Sequence, residues 1–325
     1  MGCFFIFIFF FLISNVLRVF SLKPDFLIPF IFNTGELKED NGKTNFLLLG
    51  TGGAQHEGPN LTDTIMFASY TKKTGQTTLL SLPRDIWVEK LPQKLNSAYA
   101  IGQADDGNGL ELVKEIVGNI TGLPVHYGVV IDFAVFKEII DIVGGVDVVV
   151  EKTFDDFKYP KENGEYEAAT ESGEIYKHLR FEKGLTHMDG ETALQFSRSR
   201  NSKDPAEGSD FARSKRQQKV LLALKNKLLS KKIITDIPKL QSAYRTIIKN
   251  IDTDIRQKNL PSLSRLALGF EEKKVRTVIL DEGTDEKPGF LENPPVEKYG
   301  AWVLAPRSGS WRKFQEYLKK ELESP

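Results

Sequence analysis

The chain has 325 residues, 40% of them hydrophobic, which is enough for a sizeable core. Its 44 basic and 44 acidic side chains cancel, so no global field draws in nucleic acid or anionic lipid, and any anion site must be local. The one cysteine, Cys3, excludes disulfides within the chain and cysteine-based metal sites.

The uncharged run "CFFIFIFFFLISNVL" (3–17) comes first. It is shorter than the roughly 20 residues that span a bilayer, unless Arg18 snorkels and the run extends to Phe20. It reads as a membrane anchor over 1–20, with a signal peptide and a buried helix as competing readings. A signal peptide wants a basic leader and a small-residue cleavage site, and neither is visible. "Met-Gly-Cys" resembles a lipidation start, but Ile6 stands where Ser or Thr is required. Residues 21–43 read as a juxtamembrane linker.

"NFLLLG" (45–50) is an apolar run stopped by glycine and predicts a buried strand. "DTIMFASY" (63–70) and "TTLLSLP" (77–83), joined by a turn containing Gly75, predict a β-hairpin. "GLELVKEIVGNITG" (109–122) carries apolar residues at helical spacing and a closing glycine. "VHYGVVID" (125–132) reads as a strand, "FAVFKEIIDIVGG" (133–145) as a helix, and "VDVVVE" (146–151) as another strand. The polar stretch 155–180 reads as a surface excursion. "MDGETALQF" (188–196) predicts a short helix capped by Asp189.

After 230 come two helical segments (234–250 and 260–270), a strand (274–281), a loop rich in Pro and Gly, and an amphipathic helix (311–322). This tail is either an appended subdomain or an extension of the main sheet. The alternation of strands and helices points to an α/β protein, an α-β-α sandwich around a mixed central sheet. The organisation expected is an anchor (1–20), a linker (21–43), a catalytic domain (44–230) and a small C-terminal α/β extension (231–325).

Positive charge concentrates in "LQFSRSRNSKDPAEGSDFARSKRQQKV" (194–220). At about 3.6 residues per turn, Val220, Leu221, Leu224 and Leu228 share one face of a helix over 209–229. Extending that stripe backwards reaches Gln217 and then Arg213. Lys215 and Lys219 fall on the opposite side, Arg216 at the border, and Lys203 in a loop; all three lysines read as solvent-facing. An inward arginine is costly unless paired. Near a helix N-terminus, opened by Ser209 or Asp210, it suggests a bound anion, with a pairing to Asp210 or Glu207 as the competing reading.

In "SRSR", extended chain would point Arg198 and Arg200 the same way, and two such forks suit phosphate oxygens. The loop "NSKDPAEGS" brings the arginine groups together, its own charge incidental to that. Arg84 and Asp85 in "SLPRD" (81–85) follow a strand end, where α/β proteins gather their sites, though an exposed loop arginine is an equal reading. Asp63 in "NLTDTIM" could cap a turn, act as a base or bind a metal. His126, His178 and His187 lack metal-ligand spacing and read as structural.

Taken together, "TDTI", "SLPRD", "KLNSAYAIG" (94–102), "IDFAVFKEIIDIVGGVDV" (131–148), "GLTHMDGETALQFSRSR" (184–200) and "SDFARSKRQQKVL" (209–221) resemble the LytR-CpsA-Psr family of cell-envelope proteins. The resemblance runs from about 44 to 230. It implies a glycopolymer transferase held on the extracytoplasmic side of the cytoplasmic membrane by a single-pass anchor. It implies transfer of a polymer from a polyprenyl-pyrophosphate carrier onto peptidoglycan, with Mg2+ as cofactor and Mn2+ as the alternative metal. Under it, Arg84, Arg198, Arg200 and Arg213 clamp the pyrophosphate and Gln217 hydrogen-bonds a phosphate oxygen. Asp63 binds the metal or activates the acceptor hydroxyl, and Asp210 orients the arginines. The apolar face of "VLLALKNKLL" and the strand after Asp63 are candidates for a lipid groove, or else simply core.

Two departures from the family pattern stand out. Gly52 occupies a position where many members have Asp, and Leu61 one where many have Arg. One metal ligand and one phosphate contact are thereby in doubt. His56 or Glu57 in the loop "GGAQHEGPN" could substitute, against a plain flexible loop as the competing reading. The rival functions are a polyprenyl-pyrophosphate hydrolase or binding protein, and a nucleic-acid-binding regulator. Zero net charge and only Phe196 and Phe211 as aromatics in the basic stretch argue against the regulator.

Overall fold

A computed structural model of the chain describes residues 36–53, 58–160, 176–204, 207–208, 210–228, 230–268, 274–284 and 286–323. The expected anchor and most of the linker lie outside them. Among the described residues no helix is long and apolar enough to cross a membrane.

The first strands are β1 (Lys43–Thr51), β2 (Thr62–Thr71), β3 (Thr77–Ser81), β4 (Trp87–Val88) and β5 (Gln93–Lys94). Helices α1 (Ala98–Asp105) and α2 (Gly109–Thr121) follow, then β6 (Tyr127–Asp132), α3 (Phe133–Ile142) and β7 (Val146–Val150). Next come β8 (Phe154–Pro160), β9 (Tyr176–Phe181), β10 (Gly184–Met188), α4 (Gly190–Arg198) and α5 (Asp210–Leu228). The remainder holds α6 (Lys231–Ile234), α7 (Ile237–Asn250), β11 (Ile251–Thr253), α8 (Leu260–Leu268) and β12 (Val275–Ile279). Strand β13 (Leu291–Glu292), helix α9 (Val296–Tyr299), strand β14 (Ala305–Pro306) and helix α10 (Arg312–Glu323) complete it.

Six strands form one sheet in the order β11-β6-β1-β2-β3-β12. β1–β6 and β3–β12 pair in parallel, and the other neighbours are antiparallel, so the sheet is mixed. The run at 45–50 is apolar throughout because β1 is covered on both faces. Phe46 and Leu48 pack with α3, α4 and α5; Leu47 and Leu49 pack with α1, α2 and α10. That is the expected three-layer sandwich. Each fully buried Leu or Phe contributes roughly 1.5–3 kcal/mol relative to an exposed one.

Two stretches differ from expectation. The excursion at 155–180 contains a two-stranded ladder, β8 with β9, whose Phe154 and Phe181 enter the core. Phe154, Phe181 and Phe196 pack ring against ring. Alternating polar residues on the outer face had masked this strand pattern. Strand β7 stays off the central sheet and pairs with β10 instead. The tail after 230 places β11 beside β6 and β12 beside β3, so it extends the main sheet at both edges. Helix α10 buries Phe314, Leu318 and Leu322 on the second face.

Candidate anion site at the sheet edge

The register sets the geometry. Thr51 at the end of β1 lies opposite Thr62 on β2 and Asp132 on β6. β3 runs antiparallel to β2 and ends at the same edge, with Met66 opposite Ser81. Asp63 and Arg84 are therefore neighbours, although a hairpin separates them in sequence. Arg84 donates through Nη1 to Asp63 Oδ1 at 2.6 Å, and its Nε lies 3.5 Å from Asp85 Oδ2. Lys94 Nζ donates to the other Asp85 oxygen at 2.7 Å. The "KLNS" segment closes over this group: the Asn96 amide donates to the Arg84 carbonyl and Thr62 Oγ1 to the Asn96 carbonyl. Burial works against the Arg84 charge, yet Asp63 and Asp85 hold its pKa above the ordinary value.

Arg198 reaches the same edge from another element. Asp189 caps α4 by accepting from the Thr192 amide, as expected, and Arg198 is the helix's last residue. Its guanidinium lies 4.7 Å from the Phe133 ring centroid and 5.8 Å from that of Tyr159. Phe133 begins α3, directly after Asp132 of β6. Its ring lies so near Gly50 that an added Cβ there would meet it at 3.4 Å. Ser199 is buried and Arg200 exposed, so the two arginines flank an inward-facing serine. Among the described residues, neither Arg198 nor Arg200 pairs with a carboxylate.

Helix α5 corrects the expected stripe. Its buried positions include Ala212, Arg216, Val220, Leu224 and Leu228, an i, i+4 series. The inward arginine is Arg216, 3% exposed, and not Arg213. Arg213 and Gln217 are half-buried one position round the helix. A one-residue error in phase separates the two assignments, because Val220 and Leu221 are both buried and either can start the backward count. Glu207 is not incidental charge: it pairs with Arg216 at 2.8 Å. Burial pushes the Arg216 pKa down, partly opposed by Glu207. Lys215 and Lys219 are not merely solvated either, since both bridge to Glu151 at the end of β7. Asp210 opens α5, but its side chain lies outside the described residues.

Sequence reasoning also missed Asp156, which is fully buried. Burial alone would raise its pKa. Hydrogen bonds from Ser199 and from the amides of Lys158, Asn201 and Arg200 more than offset this and hold it below the usual carboxylate range. The signal was faint, one acid in a polar strand. Asp132 is another acid at this edge. It caps α3 by accepting from the Ala134 amide at 2.5 Å, and Gly53 (φ +82°) lies so close to its carboxylate that no side chain would fit. The three histidines of the described residues are structural: His126 accepts from the Asn45 amide, and His178 and His187 pair with Asp155 and Asp147.

The lipid-groove candidates are core. Val220, Leu221, Leu224 and Leu228 are buried in one cluster, and Ile65 and Phe67 in the other. An open depression of about 560 Å3 lies beside α2, lined by Lys114, Asn119 and Gln315, at a different place from the arginines. As for a metal, no group of three or more His, Cys, Asp or Glu that could hold one exists among the described residues. His56 and Glu57 lie outside them. The donor set present is Asp63, with Asp85 across Arg84. One or two carboxylates joined by substrate phosphates is a donor set that Mg2+ accepts, so the residues fit such an ion held jointly with a ligand.

The α/β sandwich thus gathers Arg84, Arg198 and Asp63 at the carboxyl end of β1, β3 and β6, the place where open α/β sheets bind their ligands. The model of the LytR_cpsA_psr family matches residues 28–305, and the chain belongs to this family. It is 32% identical over 216 residues to the polyisoprenyl-teichoic acid–peptidoglycan teichoic acid transferase TagV of Bacillus subtilis (strain 168), covering 66% of this chain and 50% of that protein. It is 31% identical over 238 residues to the transferase of the same kind, TagU, of Enterococcus faecalis, covering 71% and 67%. The chain thus spans half the length of TagV and about two thirds of TagU. The crystal structure of B. subtilis TagV superposes with a TM-score of 0.58 at 25% identity, covering 88% of this chain and all of that one.

Proposed function

We propose that the chain is a glycopolymer–peptidoglycan transferase acting on a polyprenyl-pyrophosphate-linked polymer. The observation that carries the reading is Arg198, with Arg200 two residues on, which pairs with no carboxylate among the described residues and lies at the edge that also presents Asp63 and Arg84. Family membership and the names of the relatives support it. An acceptor sugar hydroxyl attacks the phosphorus that bears the polymer. The new P–O bond forms, the bridging P–O bond breaks, polyprenyl monophosphate leaves, and the hydroxyl proton passes to a base. Arg84, Arg198, Arg200 and Arg213 bind the phosphate oxygens and stabilise the charge that develops on them, and Gln217 donates a further hydrogen bond. Asp63 holds Mg2+ or receives the hydroxyl proton, and Asp210 orients the arginines. When bound, Mg2+ or Mn2+ would neutralise phosphate charge at Asp63. The apolar N-terminal run supports a single-pass anchor, and family membership supports a site on the outer face of the cytoplasmic membrane.

The test is transfer of labelled polymer from its lipid pyrophosphate onto purified peptidoglycan, with Mg2+ present. Covalently attached label and released polyprenyl monophosphate are expected. Release of phosphate with no attachment would instead support a hydrolase, a second reading prompted by glycine at position 52, where many members have Asp. For Asp63→Ala, a changed Mg2+ dependence is expected; an unchanged one removes Asp63 from the metal role.

A further inference from the structure

The segment that carries the two arginines, the end of α4 and the residues after it, is held from behind by two other elements. Ser199 is 1% exposed, Asp156 0% and Arg216 3%. From β8, Asp156 Oδ2 accepts from Ser199 Oγ at 2.6 Å, from the Arg200 amide at 3.0 Å and from the Asn201 amide at 3.2 Å. Its Oδ1 accepts from the Lys158 amide at 2.9 Å. From α5, Arg216 Nη2 donates to the Ser199 carbonyl at 2.5 Å and to the Glu207 carbonyl at 2.9 Å, while Nη1 donates to Glu207 Oε2 at 2.8 Å. The Arg216 guanidinium lies over the Phe154 ring at 4.5 Å.

The peptide between Arg198 and Arg200 is thus fixed through its side chain, its carbonyl and the two amides that follow. A surface turn needs no such apparatus. Burying a carboxylate and a guanidinium is costly unless each is paired and hydrogen-bonded. Here one bond from each of the two buried charges ends on the same serine, Asp156 at its hydroxyl and Arg216 at its carbonyl. Arg198 and Arg200 flank that serine, and a free segment would let their guanidiniums splay apart. A segment fixed before the ligand arrives spends no binding free energy on ordering itself.

We infer that Asp156 and Arg216 are positioning residues for the Arg198–Arg200 anion site, acting through Ser199, and that Ser199 is the joint between them. Neither side chain touches the ligand. The inference rests on the pyrophosphate reading of the arginine pair.

The test uses the full chain and farnesyl pyrophosphate as probe, with binding measured by calorimetry at low ionic strength. Asp156→Asn removes an acceptor oxygen at constant shape, and Ser199→Ala removes one bond only and guards against loss of folding in the first variant. Each is expected to weaken binding about tenfold, the effect of one lost buried charged hydrogen bond. In an Arg200→Ala background the same substitutions should weaken it by about threefold or less, because the group they position is gone. Equal losses in both backgrounds would mean a general structural role and overturn the inference. So would unchanged affinity in both Asp156→Asn and Ser199→Ala. Unchanged affinity in the combined Arg198→Ala, Arg200→Ala protein is a separate outcome: it would overturn the pyrophosphate reading itself, and the positioning role with it.

Discussion

Arg216 and Arg198 sit on consecutive helices and meet opposite surroundings. Arg216 is buried, and its two terminal nitrogens are taken up by Glu207 and two carbonyls. Arg198 is half-exposed, rests on the ring of Phe133, and pairs with no described carboxylate. Arg84 lies between these extremes, bonded to Asp63 but open to solvent on one side, with a side chain 41% exposed. An arginine's chemistry is set by what its fork already holds. A guanidinium whose terminal nitrogens are both taken up, as in Arg216, is structural; one left without a protein anion is available to a ligand.

Substitutions should separate the two kinds. Arg216→Ala leaves Glu207 facing the interior without its partner and should destabilise the fold by about 3–5 kcal/mol, read as a lower denaturant midpoint. Replacing both partners, Arg216→Met with Glu207→Gln, should recover most of that loss. If Arg216→Ala left stability unchanged, the structural side of the contrast would fail. Arg198→Ala should do the reverse. Transfer should fall by about 10²- to 10³-fold, as for loss of a donor to developing charge, while stability changes by about 1 kcal/mol or less. A destabilised Arg198→Ala protein with full activity would invert the comparison.

The layers of the fold were legible because hydrophobic pattern encodes them directly. The run at 45–50, the hairpin of β2 and β3, and helices α2 to α4 each carry a period that only one environment explains. The pairing of Asp63 with Arg84 follows from that hairpin once its strands are in register. The phase of α5 was harder, since adjacent Val220 and Leu221 are both core and the stripe can be traced back from either to different residues. Asp156 was harder still. A buried acid looks like any other in sequence, and its role exists only once β8 meets the chain after α4. The distribution of charge between the arginines is a property of three dimensions, fixed by which carboxylate folds against which fork.

The smallest expected effect concerns the lysines that were expected to face solvent. Lys215 and Lys219 of α5 both reach Glu151 just beyond β7, at 2.7 and 2.9 Å. Hydrogen bonds from Lys215 and then Lys219 pull the Glu151 pKa down to about 2. A carboxylate whose pKa is lower in the folded than in the unfolded state stabilises the fold above its unfolded value, roughly 4.3. That contribution is lost as pH falls through about 2. Because Glu151 is 53% exposed, solvent screening makes it small. Glu151→Gln should therefore lower the urea midpoint slightly at neutral pH, and the gap to the unsubstituted chain should close as the solution is acidified through this window. Added salt should shrink the same gap at neutral pH. A gap that stays constant from neutral to acid pH would mean that the two lysines hold Glu151 by shape alone. The charges that join α5 to the end of β7 would then contribute nothing to stability.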